Sequence, residues 1–245
     1  MPPRAGLPEL PLKIAFISDI HSAAAPYEAA LEAARQEGFD QLVIMGDLLT
    51  YGPEPERCLD LTREVVERDR AVLILGNHDA MYRQQGYDRP LPEWIRESME
   101  WTRGRLPVDP LEDFHWQERW SSGPLLVSHA NPFGSGDWSY LRSDEDYERA
   151  AQALAGQGFG YGVFGHVHRF AEYQGQAASV FTIGSVGQPR NRDDPRPHWA
   201  MGELTGENLT LSPRPLDFDW RDHCRALRST NMSEATIEQL CRFYP

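Results

Sequence analysis

The chain has 245 residues, 40% of them hydrophobic and 25% charged, the balance of a soluble globular protein able to bury a substantial core. Its net charge of −13 argues against stable nucleic-acid binding, which depends on Lys and Arg neutralising phosphates, but not against a small phosphorylated substrate held beside bound cations. Three widely spaced cysteines (Cys58, Cys224, Cys241) without a C-x-x-C pair, and no run near the roughly 18–20 apolar residues of a membrane span, predict a reduced, cytoplasmic protein with no membrane partner.

Residues 1–6 lack an apolar leader segment. Residues 12–18 read as a short buried strand ending on Asp19-Ile20-His21, and 23–37, rich in Ala and Glu and closed by Gly38, as a helix. A second apolar strand, 42–45, ends in Gly46-Asp47, and a Gly/Pro loop and a helix over about 56–68 follow. The third strand, 71–75, ends in Gly76-Asn77-His78-Asp79. This βαβαβ alternation predicts parallel strands joined by right-handed crossovers. Asp19 and Asp47 lie 28 residues apart and Asp47 and Asn77 lie 30 apart, about one βαβ unit each. The three strand ends therefore fall on one edge of one sheet, where open α/β folds place their sites.

The interval over about 80–123 holds Trp94, Trp101, Trp116 and Trp120 and an amphipathic helix at 91–105. It reads as an inserted helical subdomain beside the site, with its tryptophans packing the insert itself. Residues 125–128 form a strand ending in His129, 143–155 a helix with an acidic first turn, and 161–164 a strand leading into Gly165-His166-Val167-His168. Segments 169–173, 178–183, 198–204 and 209–212 have the alternation and Gly-containing turns of antiparallel strands. A helical tail over about 216–245 completes a single domain spanning 1–245.

Taken alone, each strand-end loop is a weak signal, because Asp-x-His and Gly-Asp are common and a lone histidine such as His129 serves equally as a cap or core residue. Together, five loops supply Asp19, His21, Asp47, Asn77, His129, His166 and His168. Seven such side chains are too many for one transition metal and suit two that share a carboxylate. Mixed nitrogen and hard oxygen donors fit two divalent transition-metal ions, Mn first and Fe, Zn, Ni or Co after it, and argue against a thiolate-rich structural site. Two metals about 3.5–4 Å apart can bridge a hydroxide and polarise a phosphoryl group for in-line attack. A phosphate ester, whose anionic oxygens repel a nucleophile until they are neutralised, is the substrate class that most needs such a site.

The order Asp-x-His, Gly-Asp, Gly-Asn-His-Asp, His, Gly-His-x-His between Asp19 and His168 resembles the calcineurin-like metallophosphoesterase superfamily. The resemblance implies an α/β fold, a four-layer α/β/β/α sandwich of two mixed sheets flanked by helices, with the site at the C-terminal strand ends. It implies that Asp19, His21, Asp47 and His168 hold one metal, and that Asp47, Asn77, His129 and His166 hold the other, with Asp47 bridging. By the same comparison His78 is no ligand but the catalytic residue beside the scissile phosphate, where it stabilises the transition state or protonates the leaving oxygen.

The Tyr51-Gly52-Pro53 loop and residues 184–190 are similar to the small prokaryotic phosphodiesterase/phosphatase branch. Two departures matter. Leu48-Leu49-Thr50-Tyr51-Gly52 lacks the Asp-Arg-Gly arginine of the protein phosphatases and their dinucleoside-tetraphosphatase relatives, and Ala130 stands where a glycine usually follows the lone metal histidine. Arg190 is a candidate substrate contact or, equally, a surface arginine in a Pro-rich loop. His115, His198 and His223 are expected to be partly exposed or capping side chains. The expected activity is hydrolysis of small phosphodiesters or nucleotides by attack of a metal-bridging hydroxide. The alternatives are a phosphomonoesterase acting on phosphoproteins or dinucleoside polyphosphates, and a non-catalytic binding scaffold, which would be expected to have replaced a ligand or His78. Nothing in the sequence speaks to oligomeric state.

Overall fold

The computed structural model describes residues 10–84, 90–191 and 193–245. Residues 1–9, which include the N-terminal stretch read for a leader segment, residues 85–89 of the expected insert, and Arg192 of the Pro-rich loop lie outside the described residues. In chain order the elements are β1 (Leu12–Ile17), α1 (Ala24–Glu37), β2 (Gln41–Ile44), α2 (Pro55–Asp69), β3 (Val72–Ile74), α3 (Asn77–Gln84), α4 (Glu93–Arg105), β4 (Trp116–Gln117), β5 (Arg119–Ser122) and β6 (Leu125–Ser128). There follow α5 (Asp144–Gly156), β7 (Tyr161–Phe164), β8 (Ala171–Gln174), β9 (Ser179–Thr182), β10 (His198–Thr205), β11 (Asn208–Pro215), α6 (Arg221–Arg228) and α7 (Glu234–Cys241).

The strands form two mixed sheets, ordered β11-β10-β1-β2-β3-β4 and β5-β6-β7-β9-β8. Side chains alternate across each strand, and this alternation builds the layers. Ile14 and Phe16 of β1, with Val43 and Ile74, point between the sheets and meet Leu125, Val127, Val163 and Phe181 in a closed apolar core. The intervening residues Ala15, Ile17, Leu42, Ile44 and Leu73 face outward, where Tyr27, Leu31, Leu59 and Val65 of α1 and α2 cover them. On the far side Leu126, Phe164 and Val180 are covered by Tyr147, Ala151 and Leu154 of α5. Each large side chain so buried contributes about 1.5–3 kcal/mol. The result is an α/β/β/α sandwich.

Strands β1, β2 and β3 run parallel as expected, so Asp19, Asp47 and Asn77 emerge together at one edge. Strands β6, β7 and β9 are parallel in the second sheet and bring His129, His166 and His168 to the same edge from the other side. Antiparallel pairing holds for β8 with β9 and for β10 with β11. The last pair, however, returns to the first sheet, where β10 lies antiparallel to β1.

Two expectations need correction. The interval over 80–123 is helical only in part: α3 and α4 are followed by β4, which extends the first sheet beside β3, and by β5, which edges the second sheet beside β6. Trp116 and Trp120 therefore sit on sheet edges, because a partly apolar segment beside two open edges gains more from ladder pairing than from a lone helical turn. Gly76-Asn77-His78-Asp79 is also not only a loop, since Asn77 starts α3. The helical tail is present as α6 and α7, and α7 packs on α4.

Candidate metal centre

The site is built on backbone that L-residues rarely adopt. Asp19, His21, Ser22, Asp47, Thr50, Tyr51, His166 and His168 all have φ between +49° and +80°. Arg70 is the only other described non-glycine residue with positive φ. Left-handed backbone costs such residues roughly 1–2 kcal/mol each, and its concentration in these loops marks them as a functional site whose surroundings hold the strain. Two glycines make the close approach possible. A Cβ on Gly76 would lie 2.3 Å from Asp47 Oδ1, and one on Gly165 would lie 2.1 Å from Ser18 Oγ. Ala130 is not among the positive-φ residues, so alanine fits there without backbone strain.

Four histidines are oriented by backbone carbonyls. Nδ1 of His21 donates to Leu49 O (3.2 Å), Nδ1 of His129 to Met45 O (2.6 Å), Nδ1 of His168 to Gln188 O (2.7 Å) and Nε2 of His166 to Trp138 O (3.0 Å). In the neutral imidazole each bond selects the tautomer and leaves the other nitrogen as an acceptor. Those acceptors converge with carboxylates. Asp19, His21, Asp47 and His168 place one donor atom each within 4.8 Å of one another, and so do Asp47, His129 and His166. Asn77 Oδ1 lies 3.3 Å from His129 Nε2.

The arrangement has an unpaid electrostatic cost without cations. His21 Nε2 and His168 Nε2, both lone-pair ends, face each other at 3.2 Å, and His168 Nε2 is 3.2 Å from Asp19 Oδ1. Asp19 Oδ1 is buried and has no hydrogen-bond partner. Three acceptors pressed together away from water are unfavourable unless a positive ion sits among them. The donor set therefore fits two metal ions sharing Asp47.

A family model described as calcineurin-like phosphoesterase matches residues 12–170, well over half of the chain. The chain belongs to this family. It is 27% identical over 137 residues to the uncharacterized protein MJ0912 of Methanocaldococcus jannaschii, a match covering 54% of each, so it spans about half the length of that relative. Phosphodiesterase YfcE of Escherichia coli is 25% identical over 189 residues, 73% of this chain and 82% of the relative. A metallophosphoesterase from Sphaerobacter thermophilus has the same fold, with a TM-score of 0.74 at 22% identity over 94% of this chain and 99% of that one.

In this calcineurin-like phosphoesterase, burial holds His21, His78, His166 and His168 below the ordinary imidazole pKa, His166 at about 3. His129 goes the other way: burial opposes its charge, but Asp47 at 3.4 Å and Asp19 outweigh burial and raise it to about 10. Asp19 and Asp47 are lowered against burial, chiefly by His168 and His129 respectively. Asp79 is the residue that sequence reading left without a role. Its Oδ2 accepts from the backbone N–H of Asp47 (2.7 Å) and Gly76 (3.0 Å), and its Oδ1 from Leu48 N–H (3.0 Å). Burial and the Asp47 charge push its pKa up to about 7 while these donors oppose them. Its place two residues after Asn77 was the only signal available.

His78 does not join either cluster. Its backbone N–H donates to Asp47 Oδ1 (2.8 Å), while its ring lies between Thr50 Oγ1 at Nδ1 (3.1 Å) and the Tyr51 hydroxyl at Nε2 (3.2 Å). Tyr51 stacks on Trp94 with centroids 5.3 Å apart, and Trp94 meets Phe243 of the tail at 5.9 Å. Trp94 thus reaches the site rather than only packing the insert. Arg190 stands at this wall. Its N–H donates to His168 O (3.1 Å), Nη2 donates to Gln188 Oε1 (2.7 Å), Cζ lies 5.4 Å over Phe243, and its buried Nε has no partner.

On the opposite side Tyr140 stacks on His166 at 4.1 Å, and Trp138 meets His129 edge-on at 5.9 Å. A cavity of about 850 Å³ opens there, lined by Asn77, Met81, Leu91, His129, Trp138 and Tyr140 among others. Away from the site, His115 is exposed as expected, whereas His198 is buried, donating from Nδ1 to Arg196 O (2.7 Å) with Nε2 3.3 Å from Asp194. His223 is different: it is buried and neither ring nitrogen has a partner. The tail helices enclose it in rings of Trp220 and Tyr244 that sequence alone did not bring together.

Proposed function

We propose that this protein is a two-metal phosphoesterase acting on small phosphodiesters or nucleotides. The observation that carries the reading is the convergence of two imidazole lone pairs and the orphaned Asp19 carboxylate oxygen in a buried cradle. Asp19, His21, Asp47 and His168 would hold one ion, and Asp47, Asn77, His129 and His166 the other, with manganese the first ion to try. Bound cations would supply charge to polarise the phosphoryl oxygens and acidify a water nucleophile.

The chain's own residues do the rest. Asp47 carries the shared carboxylate, and Asp79 holds the turn that presents it. His78, kept neutral by burial and outside both clusters, is free to donate to the phosphoryl or leaving oxygen. Arg190 supplies a cation from the Phe243 side toward a substrate oxygen.

The cavity beside His129 favours a diester, since it has room for a second ester substituent next to the cradle. The likeness to a phosphodiesterase points the same way. Residues 48–52 hold no arginine where protein phosphatases and dinucleoside tetraphosphatases carry the one in their Asp-Arg-Gly, which disfavours the monoesterase alternative. The presence of His78 and of every expected ligand disfavours a non-catalytic scaffold. We read the chain as one domain in which insert and tail form a wall of the site. Its cysteines are unpaired and no described helix is long and apolar enough to cross a membrane, in keeping with a cytoplasmic setting.

The test is hydrolysis of bis-p-nitrophenyl phosphate and p-nitrophenyl phosphate side by side, with manganese, with chelator, and with His78→Ala. The expected outcome is diester turnover that disappears with chelator and falls on the order of 10²–10⁴-fold in the variant. Preference for the monoester would move the protein to the phosphatase reading. No turnover of either, with two metals bound, would favour the scaffold.

A further inference from the structure

The imidazole of His78 is held at both nitrogens by one dipeptide of a neighbouring loop. Thr50 Oγ1 is 3.1 Å from Nδ1 and the Tyr51 hydroxyl is 3.2 Å from Nε2. An imidazole has only these two polar atoms, so the pair fixes the plane of its ring, and a hydroxyl at each end can serve either tautomer by donating or accepting.

The dipeptide is shaped for this. Thr50 and Tyr51 have φ of +80° and +71°, adjacent left-handed residues of which the first is β-branched, a conformation disfavoured for both. Three contacts hold it. Tyr51 N–H donates to Ser98 Oγ on α4 (2.8 Å), Thr50 Oγ1 meets the Tyr82 hydroxyl on α3 (3.0 Å), and Gly52 N–H donates to His21 O (2.9 Å). A Cβ on Gly52 would lie 2.4 Å from His21 O, so the loop has no slack. The Tyr51 ring is buried between Trp94 and His21, at 5.3 and 4.6 Å. Its hydroxyl is therefore a fixed point rather than a rotor in solvent. Strained backbone retained by this many contacts signals a task for the side chains it aims.

We infer that Tyr51 is a positioning residue for His78: its hydroxyl, braced by Trp94 and the strained Thr50–Tyr51 turn, presets the imidazole for the phosphoryl group. The inference rests on the proposed role of His78. When substrate enters, the 3.2 Å bond at Nε2 is exchanged for one to a phosphoryl or leaving oxygen without the ring having to turn. The gain is preorganisation, which acts on turnover rather than on substrate affinity.

A double-mutant cycle tests this on the manganese-loaded full chain with bis-p-nitrophenyl phosphate. Tyr51→Phe keeps the ring packing and removes only the hydroxyl. It should lower kcat by about a hundredfold with KM within about twofold, since a misplacement near 1 Å costs about that much. In a His78→Ala background the same change should cost less than about twofold, because there is no ring left to position. Bound metal and melting temperature should match wild type in Tyr51→Phe. In metal-free protein the ring-nitrogen NMR signals of His78 should shift in Tyr51→Phe while those of His129 stay in place.

An equal loss in both backgrounds would overturn the inference and make Tyr51 a direct substrate contact. Unchanged kcat in Tyr51→Phe with a large loss in His78→Ala would overturn it while leaving the His78 role intact. If His78→Ala alone costs nothing, both readings fall.

Discussion

The metal cradle and the aromatic wall beside it meet at Tyr51 but are held by opposite means. In the cradle, backbone groups orient the side chains. Four histidines donate to carbonyls of Met45, Leu49, Trp138 and Gln188, and Asp79 accepts three backbone N–H groups. In the wall, ring packing does the work: Tyr51, Trp94 and Phe243 form one stack, and Trp220 and Tyr244 form another. There a polar side chain, His223, is buried with no partner. The difference teaches where each region is fragile. A hydrogen-bonded cradle fails when the count of donors and acceptors changes, whereas an apolar cluster tolerates replacements that keep volume.

The largest effect should come from the atom that both halves of the cradle share. Asp47→Ala removes a donor from each cluster, so hydrolysis should fall to the level of chelated wild type and bound metal, measured by elemental analysis, should drop from two ions per chain to one or none. Wild-type activity with a single ion would break the comparison at its strongest point.

A smaller effect should follow from Asp79→Asn, which changes no proposed ligand. The amide must turn its NH₂ toward the Asp47 and Gly76 N–H groups or toward that of Leu48, leaving buried donors unpaired. Metal titration should show affinity or activity down about 10–100-fold, the range for groups that orient metal ligands. A loss under twofold would mean that the turn holds its shape without this carboxylate.

The smallest effect on activity belongs to the wall. His223→Phe should leave turnover within about twofold of wild type while altering how stability depends on pH. Burial lowers the folded-state pKa of His223 from 6.5 to about 4. The unfolded chain therefore binds the extra proton first, so stability is full above about pH 6.5 and falls as pH drops toward 4. The expected loss is about 3 kcal/mol at most. Urea unfolding of both proteins across that window should show a flatter curve for the phenylalanine variant. Parallel curves would mean that His223 finds a partner on protonation.

Much of this was legible in the chain because metal chemistry leaves dense local marks. Asp19 and His21, Asp47, Asn77, His129, and His166 with His168 each follow a short apolar strand, and βαβ spacing carries the first three to one sheet edge. Asp79 was not legible as an anchor, since a carboxylate in an Asn-His-Asp run reads the same whether it meets water or three buried N–H groups. Tyr51 read as a turn residue, and only the left-handed path of Thr50 and Tyr51 turns its hydroxyl to His78. Residues 116–122 read as part of a helical insert because strand pairing depends on which edges stand open nearby, and those belong to β3 and β6.

The sequence by itself determined the layers and the donor set, because side-chain alternation and ligand chemistry are properties of neighbouring residues. Tertiary structure alone decided the rest. It chose which ring nitrogen each histidine turns inward, since the carbonyl that selects the tautomer lies 20 to 84 residues away in the chain. It returned β10 to β1 across the first sheet, and it set the tail's Phe243 against Trp94 and Arg190. Such contacts join segments distant in sequence, and their free energy depends on what packing brings within a few ångströms, which no local pattern encodes.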